Sequence, residues 1–237
     1  MAVYIYSIVD KQHPLRLDGL SGVGEGGTRL RTVTAGALCA VVSDAAEDLR
    51  PKRRDLGAHQ EVQQSLMADG TVLPLRFGLL AADDEAVRLV LEEHADEYLD
   101  RIQALDGCVE YHLKAAQDEG ALLRQILDEN DAARRLNEEI RGGQAGPDAS
   151  VALGELVAHE VQARQESLAT GVVEALRPFA RLHESSQPTG SDFLSVSFLV
   201  HHDQDEAFLT TELSVAGQLG DDFDFRLSGP LPPYSFV

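Results

Sequence analysis

The 237-residue sequence predicts an α+β fold in two parts, divided near residue 115, and three observations lead to that reading. Apolar segments at 3–9, 37–43, 108–113 and 193–200 suit strands, and several of them alternate with the two-residue period of a pleated sheet. Between them, apolar residues recur at three- and four-residue steps, as on helices that bury one face. Past residue 117 the helical stretches lengthen and no strand pattern returns until 193. Apolar residues are 43% of the chain and charged ones 25%, a mixture that can bury a core and does not suit general disorder.

The first strand runs from Val3 to Val9, with Val3, Ile5, Ser7 and Val9 expected on one face and Tyr4, Tyr6 and Ile8 on the other. A strand apolar on both faces belongs inside a sheet. GLSGVGEGG (19–27) is a turn-rich connection to a short extended piece around Leu30 to Val33, and Ala37 to Ser43 is a second buried strand. Pro51 opens a helix near Asp55 with Leu56, Val62 and Leu66 on its inner face, and Gly70 ends it. TVLPLRF (71–77) is a short strand. Pro74 has no N–H for a ladder, so that strand lies at an edge or is interrupted. Asp83 and Asp84 cap a helix that carries Val87, Leu91, Tyr98, Ile102 and Leu105 inward. Asp106-Gly107 breaks it, and Cys108 to Leu113 is the next strand. The order β-β-α-β-α-β is that of a modified ferredoxin-like domain over 1–115, its first helix replaced by the glycine-rich connection.

The second domain, 116–237, begins with a helix through Leu123, Ile126, Ala133, Leu136 and Ile140. GGQAGPDAS (142–150) breaks it, and a second long helix carries Leu153, Val157, Val161, Leu168, Val172 and Phe179. The pair predicts a long antiparallel helical hairpin with a coiled-coil-like seam, on which Arg164 falls. FLSVSFLV (193–200), a helix capped near 203–206 and a strand at Phe223 to Leu227 make a small β-α-β element. GPLPPYSFV (229–237) is an extended tail. Its prolines lower the entropy lost on docking, so it is expected to pack on the N-terminal domain and tie the two domains together.

A net charge of −20 repels phosphate backbones and anionic lipid, which excludes nucleic acid as a partner class. No run of 18 uncharged apolar residues occurs, so no membrane insertion is expected and the chain reads as cytoplasmic. Two cysteines, Cys39 and Cys108, sit in apolar runs and read as small buried hydrophobes. Catalytic constellations fail in turn. Gly22 to Gly27 lacks both the G-x-G-x-x-G spacing and a Lys-Ser/Thr ending. His159-Glu160 has Ala163 where a second zinc ligand belongs. His201 and His202 precede Asp203, but neighbours on a strand point to opposite faces and cannot chelate together without a bend. His59 reads as a half-buried structural residue. No catalytic residue, metal site or cofactor is expected.

Two charged features stand out. Arg50, Lys52, Arg53 and Arg54 flank Pro51 just before a helix N-terminus, where the helix dipole disfavours cations. They are candidate partner-binding residues for an acidic surface, or pair with the chain's own carboxylates. Arg76 lies between Leu75 and Phe77 and is expected to pair with a carboxylate or to cap carbonyls.

Five segments are more specific than their general chemistry requires. They are YIYSIV (4–9), HQEVQQSLM (59–67), TVLPLRFG (71–78) with Leu73, Pro74, Arg76 and Phe77, LDGCVEYHLKA (105–115), and GPLPPYSFV with Pro230, Pro232, Pro233, Tyr234 and Phe236. In this order, and over essentially the whole chain, they resemble the GvpF/GvpL gas vesicle proteins. That family has a Y-x-Y-x-I/V strand, a His-bearing helix, a V-L-P-x-R-F-G turn, a G-x-V-E strand and a G-P-W/L-P-P-Y-S-F-V ending. Leu231 stands where many members carry Trp, a smaller apolar anchor. The resemblance implies a non-enzymatic gas vesicle accessory protein. Such a protein would bind the hydrophobic shell subunit, other accessory proteins, or both, in the cytoplasm and in association with gas vesicles. A small-molecule enzyme on the ferredoxin-like scaffold and a minor structural component of the finished shell stay open as alternatives.

Overall fold

The computed structural model describes residues 2–143 and 146–237; residues 144 and 145 of the expected breaker lie outside the described residues. The chain divides into two compact units. The first is Met1–Tyr111 with Leu199–Asp203 and Gly229–Val237, and the second is His112–Phe198 with Gln204–Ser228. The two late returns to the first unit have no counterpart in a linear division at residue 115.

The first unit is built on an antiparallel sheet of β1 (Ala2–Asp10), β2 (Arg31–Ala35), β3 (Leu38–Ala45) and β4 (Leu73–Pro74), in the order β2-β3-β1-β4. β5 (Leu80–Ala81) also pairs with β1. β1 is interior, as its two apolar faces require, but the parity expected for it holds only as far as Tyr6. The register shifts between Ile5 and Ser7, where Ile5 opposes Val42 and Ser7 opposes Val41. That one-residue bulge swaps the faces of everything after it. Ile8 therefore joins Val3 and Ile5, and Val9 joins Tyr4 and Tyr6.

Each face is closed by helices. α1 (Arg53–Asp69) covers Tyr4, Tyr6, Val9, Cys39 and Val41 with Val62 and Leu66. Its remaining buried residues are polar, Asp55, His59 and Gln63, while Leu56, expected inside, is 44% exposed. The opposite face packs on α2 (Asp84–Glu93) and α3 (Ala95–Ala104) through Val87, Leu91 and Ile102. These two helices were expected as one. His94 breaks them, and the Asp83 carboxylate caps α2 by accepting the Ala86 N–H at 2.8 Å.

The second unit contains most of a four-stranded sheet of β6 (Cys108–Gln117), β7 (Leu182–Ser185), β8 (Asp192–His201) and β9 (Phe223–Leu231), in the order β7-β8-β6-β9. β6 was expected to complete the first sheet and belongs instead to this one. α7 (Asp205–Leu219) connects β8 to β9 and buries Phe208 edge-on to Phe198, ring centroids 5.3 Å apart. The helical hairpin is present, with its first arm divided into α4 (Glu119–Glu129) and α5 (Asp131–Arg141) and its second arm formed by α6 (Ala149–Leu176). Leu122, Ile126 and Ala133 are buried against Leu153, Leu156, Val157 and Val161. Asn130 makes the break: its side-chain oxygen accepts from the Ala132 and Ala133 N–H groups and so starts α5. Arg164 is held on the seam by Glu129 at 2.8 Å and Glu160 at 3.4 Å.

Candidate functional site

Three of the specific segments meet at His59. Tyr4 and Tyr6 arrive from β1, Phe77 from the LPLRFG turn and Tyr234 from the tail. The His59 ring stacks on Tyr6 with centroids 5.7 Å apart and meets Phe77 edge-on at 5.8 Å. Its Nδ1 lies 2.9 Å from the Tyr4 hydroxyl and its Nε2 3.0 Å from that of Tyr234. The Tyr4 oxygen also accepts the Gly78 N–H at 3.3 Å, so we assign Tyr4 as the donor to Nδ1 and Nε2–H as the donor to Tyr234. Burial lowers the His59 pKa to about 4, and burial with the nearby Glu110 charge raises that of Tyr234 to about 12. Both ring nitrogens of His59 are engaged within the fold. It is a pin between a strand, a helix and the tail.

The other polar residues of α1 follow the same pattern. Asp55 accepts the Gly24 N–H at 2.9 Å, and Gln63 bonds the Ser7 hydroxyl and the Tyr6 carbonyl. Positions 55, 59 and 63 are one turn apart each, so one stripe of the helix fastens it to the glycine-rich connection, to β1 and to the tail.

The fourth segment fixes the tail from the other side. Glu110, buried and next to Val109 in the G-C-V-E stretch, accepts the Ser235 N–H at 2.9 Å and the Ser235 hydroxyl at 2.7 Å. Phe236 and Val237 pack against the core under α2 and α3, and Pro232 and Pro233 are buried while Pro230 is exposed. At Gly229 a Cβ would stand 2.4 Å from Tyr111 Cδ1, so only glycine lets the tail turn this close to β6. Leu73 and Pro74 are buried in their short ladder. Arg76 differs from expectation: it is exposed and, among the described residues, forms no ion pair or hydrogen bond. Its neighbours Leu75 and Phe77 pack against the two cores while Arg76 is exposed.

Arg50, Lys52, Arg53 and Arg54 are all exposed. Arg50, Lys52 and Arg54 line a depression of about 630 Å³ together with Glu25, Asp44, Asp48 and Asp55. Lys52 pairs with Glu25 at 3.4 Å and Arg54 with Asp55 at 3.3 Å, whereas Arg50 and Arg53 have no ion pair among the described residues. The depression thus holds four carboxylates against three cations.

A second depression of about 290 Å³ is almost wholly apolar. Ile5 and Ile8 floor it, Leu79 and Leu80 bound it directly after the LPLRFG turn, and Val87, Val90 and Leu91 of α2 form the opposite wall. Leu79 is 46% exposed and Val90 45%. The α2 carboxylates Asp84, Glu85, Glu92 and Glu93 are exposed, with Asp84 paired to Arg31 and Glu85 and Glu92 to Arg88. None of the sequence patterns marked this groove, because its exposed apolar residues continue a helix and a turn that are otherwise ordinary core.

Comparison with known proteins agrees over the whole length. The family profile described as "Gas vesicle synthesis protein GvpL/GvpF" matches residues 2–237. "Gas vesicle protein F" of Streptomyces sp. (strain CB03234) is 42% identical over 238 residues, covering all of both chains. The crystal structure of GvpF from Anabaena sp. PCC7120 superposes with a TM-score of 0.86 at 22% identity, covering 99% of this chain and 97% of that one. GvpF from Microcystis aeruginosa gives 0.81 at 23% identity, covering 99% and 98%.

Proposed function

Because this chain belongs to the GvpL/GvpF family of gas vesicle synthesis proteins, we propose that it is an assembly factor that binds the hydrophobic shell subunit through the apolar groove of its first unit. A protein wall that keeps water out of a gas space needs apolar side chains on its inner face. A free subunit carrying them would aggregate, and a soluble partner that covers them prevents this. The groove beside Leu79 and Val90 is the observation that carries the reading, since it offers apolar contact without burying a charge. Among the described residues no helix is long and apolar enough to cross a membrane, which fits work in the cytoplasm on forming vesicles.

Arg50 and Arg53 give a second, electrostatic contact for an acidic accessory protein. A binding role, rather than catalysis, is supported by the fate of three buried titratable groups. His59, Asp55 and Glu110 are each consumed by bonds that hold the fold together.

The test is co-purification of the shell subunit with the full chain. Leu79→Glu with Val90→Glu is expected to reduce capture at least tenfold with an unchanged melting temperature. Undiminished capture by this variant removes the groove from the proposal. Reversing Arg50 and Arg53 to Glu should weaken capture of accessory proteins at low salt and matter less at high salt. Blotting of washed vesicles separates a transient factor from a component of the finished shell.

A further inference from the structure

At the end of β8 the chain does what the sequence pattern argued against. A single 3-10 turn at His202–Gln204 bends it directly after His201, and the two imidazoles come to lie side by side, centroids 4.1 Å apart. Asp203 reaches back between them, with Oδ2 3.3 Å from His201 Nδ1 and Oδ1 3.0 Å from His202 Nε2. One ligand atom from each of the three residues lies within 4.8 Å of the others.

A backbone carbonyl orients the His202 ring. Its Nδ1 is 3.1 Å from the Gly107 carbonyl oxygen, which can only accept, so Nδ1 carries a hydrogen. Nε2 is turned to the Asp203 carboxylate, with Oδ1 3.0 Å away. A backbone carbonyl on one imidazole nitrogen with the other nitrogen directed at a cation is the usual arrangement around metal-binding histidine. Gly107 makes room for it: a Cβ there would stand 2.7 Å from His201 Nε2 and 3.0 Å from His202 Nδ1.

We propose that His201, His202 and Asp203 form a binding site for a divalent transition-metal ion of zinc type. Two nitrogens and one carboxylate suit zinc, with water completing the shell, and do not suit calcium or magnesium, which prefer all-oxygen sets. Ligands on a tetrahedral zinc stand roughly 3.4 Å apart, close to the 3.0 Å between His202 Nε2 and Asp203 Oδ1. His202 and Asp203 are exposed, so small side-chain rotations complete the set at little cost. The ion would clamp the turn after β8 onto the Gly107 turn that precedes β6, entirely within the first unit.

The experiment is equilibrium dialysis of the untagged full chain against Zn²⁺ at pH 7.5, with Co²⁺ as a spectroscopic substitute. The expected result is one saturable equivalent per chain, a visible Co²⁺ ligand-field band that Zn²⁺ displaces, and a melting temperature raised by Zn²⁺. His202→Ala and Asp203→Ala should each weaken binding at least tenfold and abolish the thermal shift, whereas His159→Ala should change neither. Absence of saturable binding overturns the proposal. Saturable binding that both variants leave intact also overturns it, because the ion then sits elsewhere.

Discussion

Lowering the pH should loosen this protein through His59. The ring has a pKa of about 4 in the folded chain against 6.5 for an unperturbed histidine, so between these values the unfolded chain binds a proton that the folded one refuses. Stability therefore rises with pH across that window and falls on acidification. One pKa unit corresponds to about 1.4 kcal/mol, so the loss from pH 7.5 to pH 5 is about 2 kcal/mol, approaching about 3 by pH 4. The groups facing the ring, Tyr4, Tyr6 and Tyr234 with Asp55 nearby, cannot offset this: the phenols stay neutral and Asp55 is committed to Gly24. The assay is urea unfolding at several pH values between 7.5 and 5 for the wild type and His59→Gln. The variant should be less stable at pH 7.5, having lost its fit between the two tyrosines, and should lack the 2 kcal/mol slope. Other carboxylates and histidines act equally on both proteins, so the difference isolates His59. Equal slopes would refute the argument.

Deleting residues 234–237 removes the Tyr234–His59 and Ser235–Glu110 bonds and the packing of Phe236 and Val237. The cost is expected to be about 3 kcal/mol in denaturant titrations with no partner present. A truncated chain that unfolds at the same denaturant concentration would mean that the tail contributes only to recognition. Arg76→Ala, by contrast, removes an exposed side chain without a partner and should change stability by less than about 0.5 kcal/mol, read as an unaltered melting temperature.

Much of the architecture was legible because burial imposes a period. The interior position of β1, the long second arm of the hairpin, the capped α2 and the proline-interrupted β4 all follow from spacing and from proline chemistry. What escaped was decided by single residues that have no period. The bulge at Tyr6 changes the parity of β1 without changing its composition, so Ile8 and Val9 exchange faces. Asn130 divides the first arm of the hairpin with one side-chain oxygen, in a stretch whose apolar spacing runs on unbroken. α1 misled more deeply. A search for an apolar stripe selects Leu56, whereas the helix buries Asp55, His59 and Gln63, and each is satisfied by a partner at least 31 positions away. Glu110 is hidden for the same reason, as its partner Ser235 is 125 residues distant. The candidate site was therefore legible as a set of motifs and not as a set of contacts. The bend after His201, which decides whether two histidines can cooperate, is one turn long and leaves no signature in composition.

The first unit also sets a timetable. Leu199, Tyr234, Phe236 and Val237 complete a core whose other members lie in the first 111 residues. During synthesis the sheet and α1 emerge early, yet His59 waits for Tyr234 and Glu110 for Ser235 until nearly the whole sequence has left the ribosome. In between, the second unit is made in full. A nascent chain halted or cleaved before residue 229 would thus present a first unit whose core is unsealed.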